Sequence, residues 1–303
     1  MQRNDALLRL EASMKIRAGF DIAYELTQPT SMILMLTVHP SRHRDLLTDQ
    51  RIAITPSIKA HDYLDCFGNV CTRILASAGR LEIKNDFLII DDGQPDIVAP
   101  RAAQIDIDKL PSDALQFLLP SRYCDTENLS DLAWSLFGAS KPGWDRVQKI
   151  CDYVHNHINF GYQHARGDRT ASDGHRERVG VCRDFAHLAV TLCRCMNIPA
   201  RYCTGYLGDI GVPKDPAPMD FSAWFEVFLG GHWYTFDARH NIPRIGRIVI
   251  ARGRDAADVA ISTSFGPARL AQFKVVTEEI FERSLVRTLS AQKSAEPRRA
   301  VAG

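Results

Sequence analysis

Gly180-Val181-Cys182-Arg183-Asp184-Phe185-Ala186-His187 sets a cysteine at the start of a run whose apolar residues recur at helical spacing. Phe185, Leu188, Ala189, Leu192 and Met196 share one face. The spacing therefore predicts a helix over about 182–196 with that face buried. Cys182 falls on the same line, in the first turn. A helix N-terminus carries partial positive charge and unpaired N–H groups, and both favour a thiolate over a thiol. The sulfur is expected at the floor of a cleft where helix and sheet meet. The helix alone fits equally well a structural cysteine capping a buried face.

Downstream, Asp220 to Leu229 reads as a strand, Gly230-Gly231 as a two-residue turn, and His232 to Asp237 as the return strand. With that turn Leu229 pairs with His232, Trp224 faces Asp237 and Ser222 faces Arg239. Side chains alternate faces along a strand. Ser222, Trp224 and Glu226 thus share a face with Trp233, Thr235 and Asp237, and Ser222 and Asp237 become diagonal neighbours. An imidazole at 222 would be held by Asp237 and present its other nitrogen to a thiol across the cleft, an arrangement of nucleophile, base and orienting group.

Four stretches together resemble the bacterial transglutaminase-like superfamily: Gly180 to Leu188; Ile198-Pro199-Ala200-Arg201-Tyr202 with Gly205-Tyr206; Ala223-Trp224-Phe225-Glu226; and Trp233-Tyr234-Thr235-Phe236-Asp237. The resemblance implies a papain-like core with a Cys-His-Asp triad, preceded by the β domain that accompanies it in bacteria. It makes Cys182 the nucleophile and Asp237 the orienting acid. It places the histidine at 222, where this chain carries Ser222. Tyr162 stands where members of this superfamily often have an aromatic ahead of the site; it is a candidate to line the cleft or stabilise an oxyanion, and fits core packing equally well. Trp224 is expected to line the cleft. The implied activity is amide or peptide hydrolysis, or acyl transfer, through a Cys182 acyl-enzyme. The alternative is a silenced module of the same fold that binds a peptide or acyl donor. The implied partners are a peptide or protein amide and, for transfer, an amine acceptor.

A serine cannot act as a general base near neutral pH. Among the other histidines, His187 is five residues after Cys182, and ~100° per residue turns it away from the thiol. His232 is expected at the hairpin tip, and His155 and His157 on different helix faces. His164 and His175 fall in the polar stretch before Cys182. His240, three past Asp237, is the best substitute. No histidine groups with acids at metal-ligand spacing, so no metal and no cofactor is expected.

The 303 residues are 45% hydrophobic and 24% charged with a net charge of +1, which argues against nucleic acid or an anionic membrane surface as partner. The longest apolar run, Met32–Val38, is too short to span a bilayer, and the N-terminus lacks the apolar core of a signal peptide. A cytoplasmic location is expected. Eight cysteines without an export signal or a C-x-x-C pair argue against a disulfide framework, and Cys151, Cys193 and Cys203 read as core residues.

The fold class expected is α+β. Residues 1–17 read as a leader, and short alternating segments over 18–92 as a β-sandwich-like domain. The prolines of 93–120 read as a connection. The core, helices on an antiparallel sheet, is expected over 121–290, and 291–303 as a polar, disordered tail.

Overall fold

A computed structural model describes residues 14–280. The chain opens with β1 (Met14–Leu26), β2 (Thr30–Leu34), β3 (Ala53–Thr55), β4 (Ala60–Leu64), β5 (Val70–Ala76) and β6 (Gly79–Asp91). β1 and β6 pair antiparallel over their full 13 residues, from Met14↔Asp91 to Leu26↔Gly79. Alternation drives this half: Ile16, Ala18, Phe20 and Ile22 point inward, as do Leu81, Ile83, Phe87 and Ile89 from β6. The strand thus begins at Met14, inside the stretch expected as a leader. Residues 1–13 and the tail expected over 291–303 lie outside the described residues.

The helices of the core follow from periodic apolar stripes. Ser130–Phe137 and Trp144–His157 pack against the cysteine helix, Cys182–Cys195. The stripe read from sequence is buried: Trp144, Val147, Ile150, Cys151 and Val154 meet Phe185, Leu188, Ala189 and Leu192. The polar stretch before Cys182 is not all loop. Thr170 and Asp173 form a reciprocal N-terminal cap that starts a helix over Ala171–Glu177. A two-stranded parallel pair, β7 (Asn159–Phe160) and β8 (Val179–Gly180), fixes the entry to the cysteine helix.

The central sheet uses β9 (Ala200–Tyr206), β10 (Ser222–Leu229), β11 (His232–Phe236) and β12 (Ile248–Gly253), in the order β11-β10-β9-β12, all antiparallel. The hairpin has the expected register, Leu229↔His232 through Phe225↔Phe236. Gly230 and Gly231 both take positive φ, 57° and 88°, which suits a tight turn with the strand twist. The architecture is α+β, with helices packed on an antiparallel central sheet.

The C-terminal boundary expected for the core is corrected by the strand pairing. β13 (Ser262–Ser264) joins β2, and β14 (Ala268–Glu279) joins β1 from Ile16↔Glu279 to Leu26↔Ala268. The two N-terminal sheets run β14-β1-β6-β3 and β13-β2-β5-β4. Residues 262–279 therefore complete the N-terminal β region rather than the core. The two regions share one hydrophobic interior. Tyr206, Phe221, Ala223 and Ile250 of the central sheet pack with Phe20, Phe87 and Ile89, and Cys182 lies against the same cluster.

Gly205 marks a close approach in that sheet. It pairs with Ser222 on one side and Val249 on the other. A Cβ there would collide with the Ile248 carbonyl and come within 2.8 Å of the Trp224 ring. Gly205→Ala should lower unfolding free energy by roughly 1–3 kcal/mol, the cost of overpacking an interior, with the urea midpoint as the readout.

Candidate active site

Cys182 is the first residue of its helix, preceded by Val181 in extended conformation. Asp184 anchors this turn. Its Oδ2 accepts from the Val181 N–H at 2.9 Å and from an Arg169 guanidinium nitrogen at 3.0 Å. Both Arg169 and Asp184 are buried. The carboxylate thus takes up one free N–H and part of the positive charge at the helix end.

The thiol does not rest as the thiolate that the helix position suggested. Burial pushes Cys182 up to about 11. The Arg239 charge and the Ala223 N–H oppose this, while Asp220 and Asp237 add to it. Alkylation of Cys182 by iodoacetamide should accordingly rise about tenfold per pH unit from neutrality toward that value, because only the thiolate reacts. A rate that levels off near neutral pH would contradict the buried-thiol environment.

One cleft gathers Tyr162, Cys182, Ser222, Arg239 and His240, roofed by residues of the 207–221 loop. Ser222 begins β10 and is buried, and its Oγ finds no hydrogen-bond partner among the described residues. Asp237 follows directly after β11 and does not itself line this cleft; it connects to it through His240. The Asp237 Oδ2 pairs with His240 Nδ1 at 2.8 Å. Its Oδ1 accepts the N–H groups of Arg239 and His240 at 3.0 and 3.1 Å, and the Asn241 N–H bonds back to the Asp237 carbonyl. This turn is what folds His240 back onto Asp237. Arg247 donates to the same Oδ2 at 2.9 Å. Burial alone would raise Asp237, but Arg247 and His240 hold it well below the usual carboxylate range. With Asp237 ionised, His240 Nδ1 donates in this contact, which leaves Nε2 as the ring nitrogen not engaged by Asp237.

The other residues singled out in the sequence separate clearly. Tyr162 is half-exposed at the cleft. Trp224 is not there. It is buried with Cys203 and Val249, under the Arg247 guanidinium at 5.1 Å, and lines a different cavity with Glu226 and Thr235. The alternation of β10 sends 224 and 226 to the sheet face opposite the cysteine helix, which packs on Phe225 and Val227. Glu226 is an ion-paired strand residue, buried between Arg201 and Arg252. His187 is fully buried against Tyr123, with its Nε2 accepting the Ala256 N–H at 3.1 Å. His175 stacks on His157 at 4.5 Å, and His164 lies half-buried beside Gln163. Sequence reasoning missed the arginines at 239 and 247, because an arginine two or ten residues past a candidate acid carries no spacing signal.

A family model described as the transglutaminase-like superfamily matches residues 131–238, a span that holds Cys182, Ser222 and Asp237 and stops two residues before His240. A solved structure from Cytophaga hutchinsonii, described as that of a candidate cysteine protease, is 32% identical. The match covers 89% of this chain and 91% of that one with a TM-score of 0.77. The chain belongs to the transglutaminase-like superfamily. An uncharacterized protein of Mycobacterium leprae is 23% identical over 232 residues, covering 73% of this chain and 81% of its own. One from Mycobacterium tuberculosis is 32% identical over 115 residues, 34% of this chain and 37% of that protein. Membership in the superfamily agrees with the papain-like core seen in the helices and central sheet. Among the described residues, no helix is long and apolar enough to cross a membrane.

Proposed function

We propose that this chain is a cysteine-dependent acyl-transfer enzyme in which His240, held by Asp237, acts as the base that position 222 does not supply. The observation that carries this reading is the 2.8 Å contact between His240 Nδ1 and Asp237 Oδ2, with His240 and Cys182 lining one cleft. His240 Nε2 takes the thiol proton as Sγ attacks an amide or thioester carbonyl. The Cys182 backbone N–H, with Tyr162 opposite, donates to the developing oxyanion. The amine leaves with the proton from His240. Water, or an amine acceptor, then gives its proton to Nε2 and releases the acyl group. The substrates are peptide or protein amides. A cytoplasmic setting fits the eight free cysteines.

A silenced binding module is the second reading, favoured by the unpartnered Ser222 hydroxyl and by a thiol that rests protonated. Four proteins separate the two: the parent, Cys182→Ala, His240→Ala and Ser222→His, assayed on amide and thioester acyl donors. A relocated base gives parent activity that falls with the first two variants and owes nothing to Ser222→His. Turnover that arises only in Ser222→His would establish the silenced module.

A further inference from the structure

The cleft contains a cation with no assigned task. The Arg239 guanidinium carbon sits over the Phe160 ring, 3.8 Å from its centre, and the residue is half-buried at the cleft wall. Among the described residues it makes no side-chain hydrogen bond, and no carboxylate comes within 4.0 Å of it. Its neighbours differ. Arg247 is committed to Asp96 and Asp237, and Arg244 to the Gly208 carbonyl. Asp220 feels the Arg239 charge from beyond ion-pair distance. Its place over the ring anchors the guanidinium while its N–H groups have no partner among the described residues, and a guanidinium's paired N–H donors suit a two-oxygen acceptor. We infer that Arg239 is a specificity residue that binds a carboxylate of the acyl donor close to the bond Cys182 attacks. The inference rests on Cys182 being the reactive group.

The carboxylate can come from a peptide C-terminus or from an acidic side chain. Either would place its charge beside Arg239 while its carbonyl meets Sγ. The opposing Asp209, Asp215 and Asp220 at the roof of the cleft repel a second anionic group, so one carboxylate in one orientation is preferred.

Iodoacetate and iodoacetamide test this without knowledge of the substrate, because they differ in one charge. Their relative rates on Cys182 cancel any effect of Arg239 on the thiol's own ionisation. In Arg239→Gln the iodoacetate-to-iodoacetamide rate ratio should fall about fivefold, the size of one screened contact between unit charges, and Arg239→Lys should keep most of it. N-acetyl dipeptides then identify the source: one with a free C-terminus, its C-terminal amide, and an amide bearing a glutamate side chain, each competing with iodoacetamide. A carboxylate-bearing peptide should protect the parent and not Arg239→Gln. An unchanged ratio, or equal protection by the neutral amide, overturns the role of Arg239. Cysteine modification that is identical in Cys182→Ala would instead remove the reactive-thiol reading on which it stands.

Discussion

His240→Ala is expected to reduce turnover by ~10²–10⁴-fold, the usual contribution of a positioned general base. The thiol's own environment makes the dependence strong. A group pushed up to about 11 presents almost no thiolate at neutral pH, so attack requires a proton acceptor in the cleft. Among the groups shown to line that cleft with Cys182, the His240 ring is the imidazole oriented by a carboxylate. The loss should appear in kcat. It should not be accompanied by unfolding, since His240 is half-buried and, among the described residues, its side chain hydrogen-bonds Asp237 alone. Thermal melting of the variant close to the parent's, together with lost turnover of a thioester donor, confirms the assignment. Turnover that survives the substitution refutes it.

Glu226→Ala should have the largest effect on stability. The carboxylate is buried, with Oε2 2.6 Å from Arg201 Nε and 2.9 Å from Arg252 Nε, and Oε1 3.0 Å from a second Arg252 nitrogen. Removing it leaves two guanidinium groups facing each other in the interior beside His39. Losing one partner of such a buried network costs roughly 3–5 kcal/mol, or about 10 °C in Tm for a chain of this size. Glu226→Gln keeps the hydrogen-bonding shape and should cost less. The network also sets an acid limit. Burial raises the Glu226 carboxyl, yet Arg252 and Arg201 hold it below its ordinary 4.5. A depressed carboxylate contributes fully above that ordinary value and loses its contribution as pH falls below it. His39 is lowered to about 4 by burial and by Arg252 and Arg201, so it stays neutral in the fold while the unfolded chain takes up a proton near 6.5. Its contribution therefore shrinks as pH falls from 6.5 toward 4. Urea midpoints across that window should decline in the parent.

Local pattern made much of the site legible. Phe185, Leu188 and Leu192 mark a buried helix face because 3.6 residues per turn repeat it, and that places Cys182 at the helix start. Gly230-Gly231 sets the hairpin register because a two-residue turn admits one pairing, and the ladder from Leu229↔His232 follows it. The distance of three residues from Asp237 to His240 also pointed to the imidazole that pairs with Asp237, since a turn can close over that span.

What local pattern could not carry was every property that depends on chain segments far apart. The thiol's protonation reversed the helix-end expectation because the N-terminal sheets and the central sheet share one interior that surrounds the sulfur. β14 looked like part of the core and instead pairs with β1, some 250 residues earlier, because an alternating strand does not name its partner. Trp224 and Ser222 read as one face of one strand, yet the end of the sheet opens Ser222 to the Cys182 cleft while Trp224 lies under Arg247. Sequence determined the helix that opens at Cys182 and the hairpin that carries Ser222 and leads into Asp237, since these follow from short-range periodicity. Tertiary structure alone decided how protonated the thiol is, which charges surround it and which histidine shares its cleft, because burial and Coulomb interactions are summed over space and not along the chain.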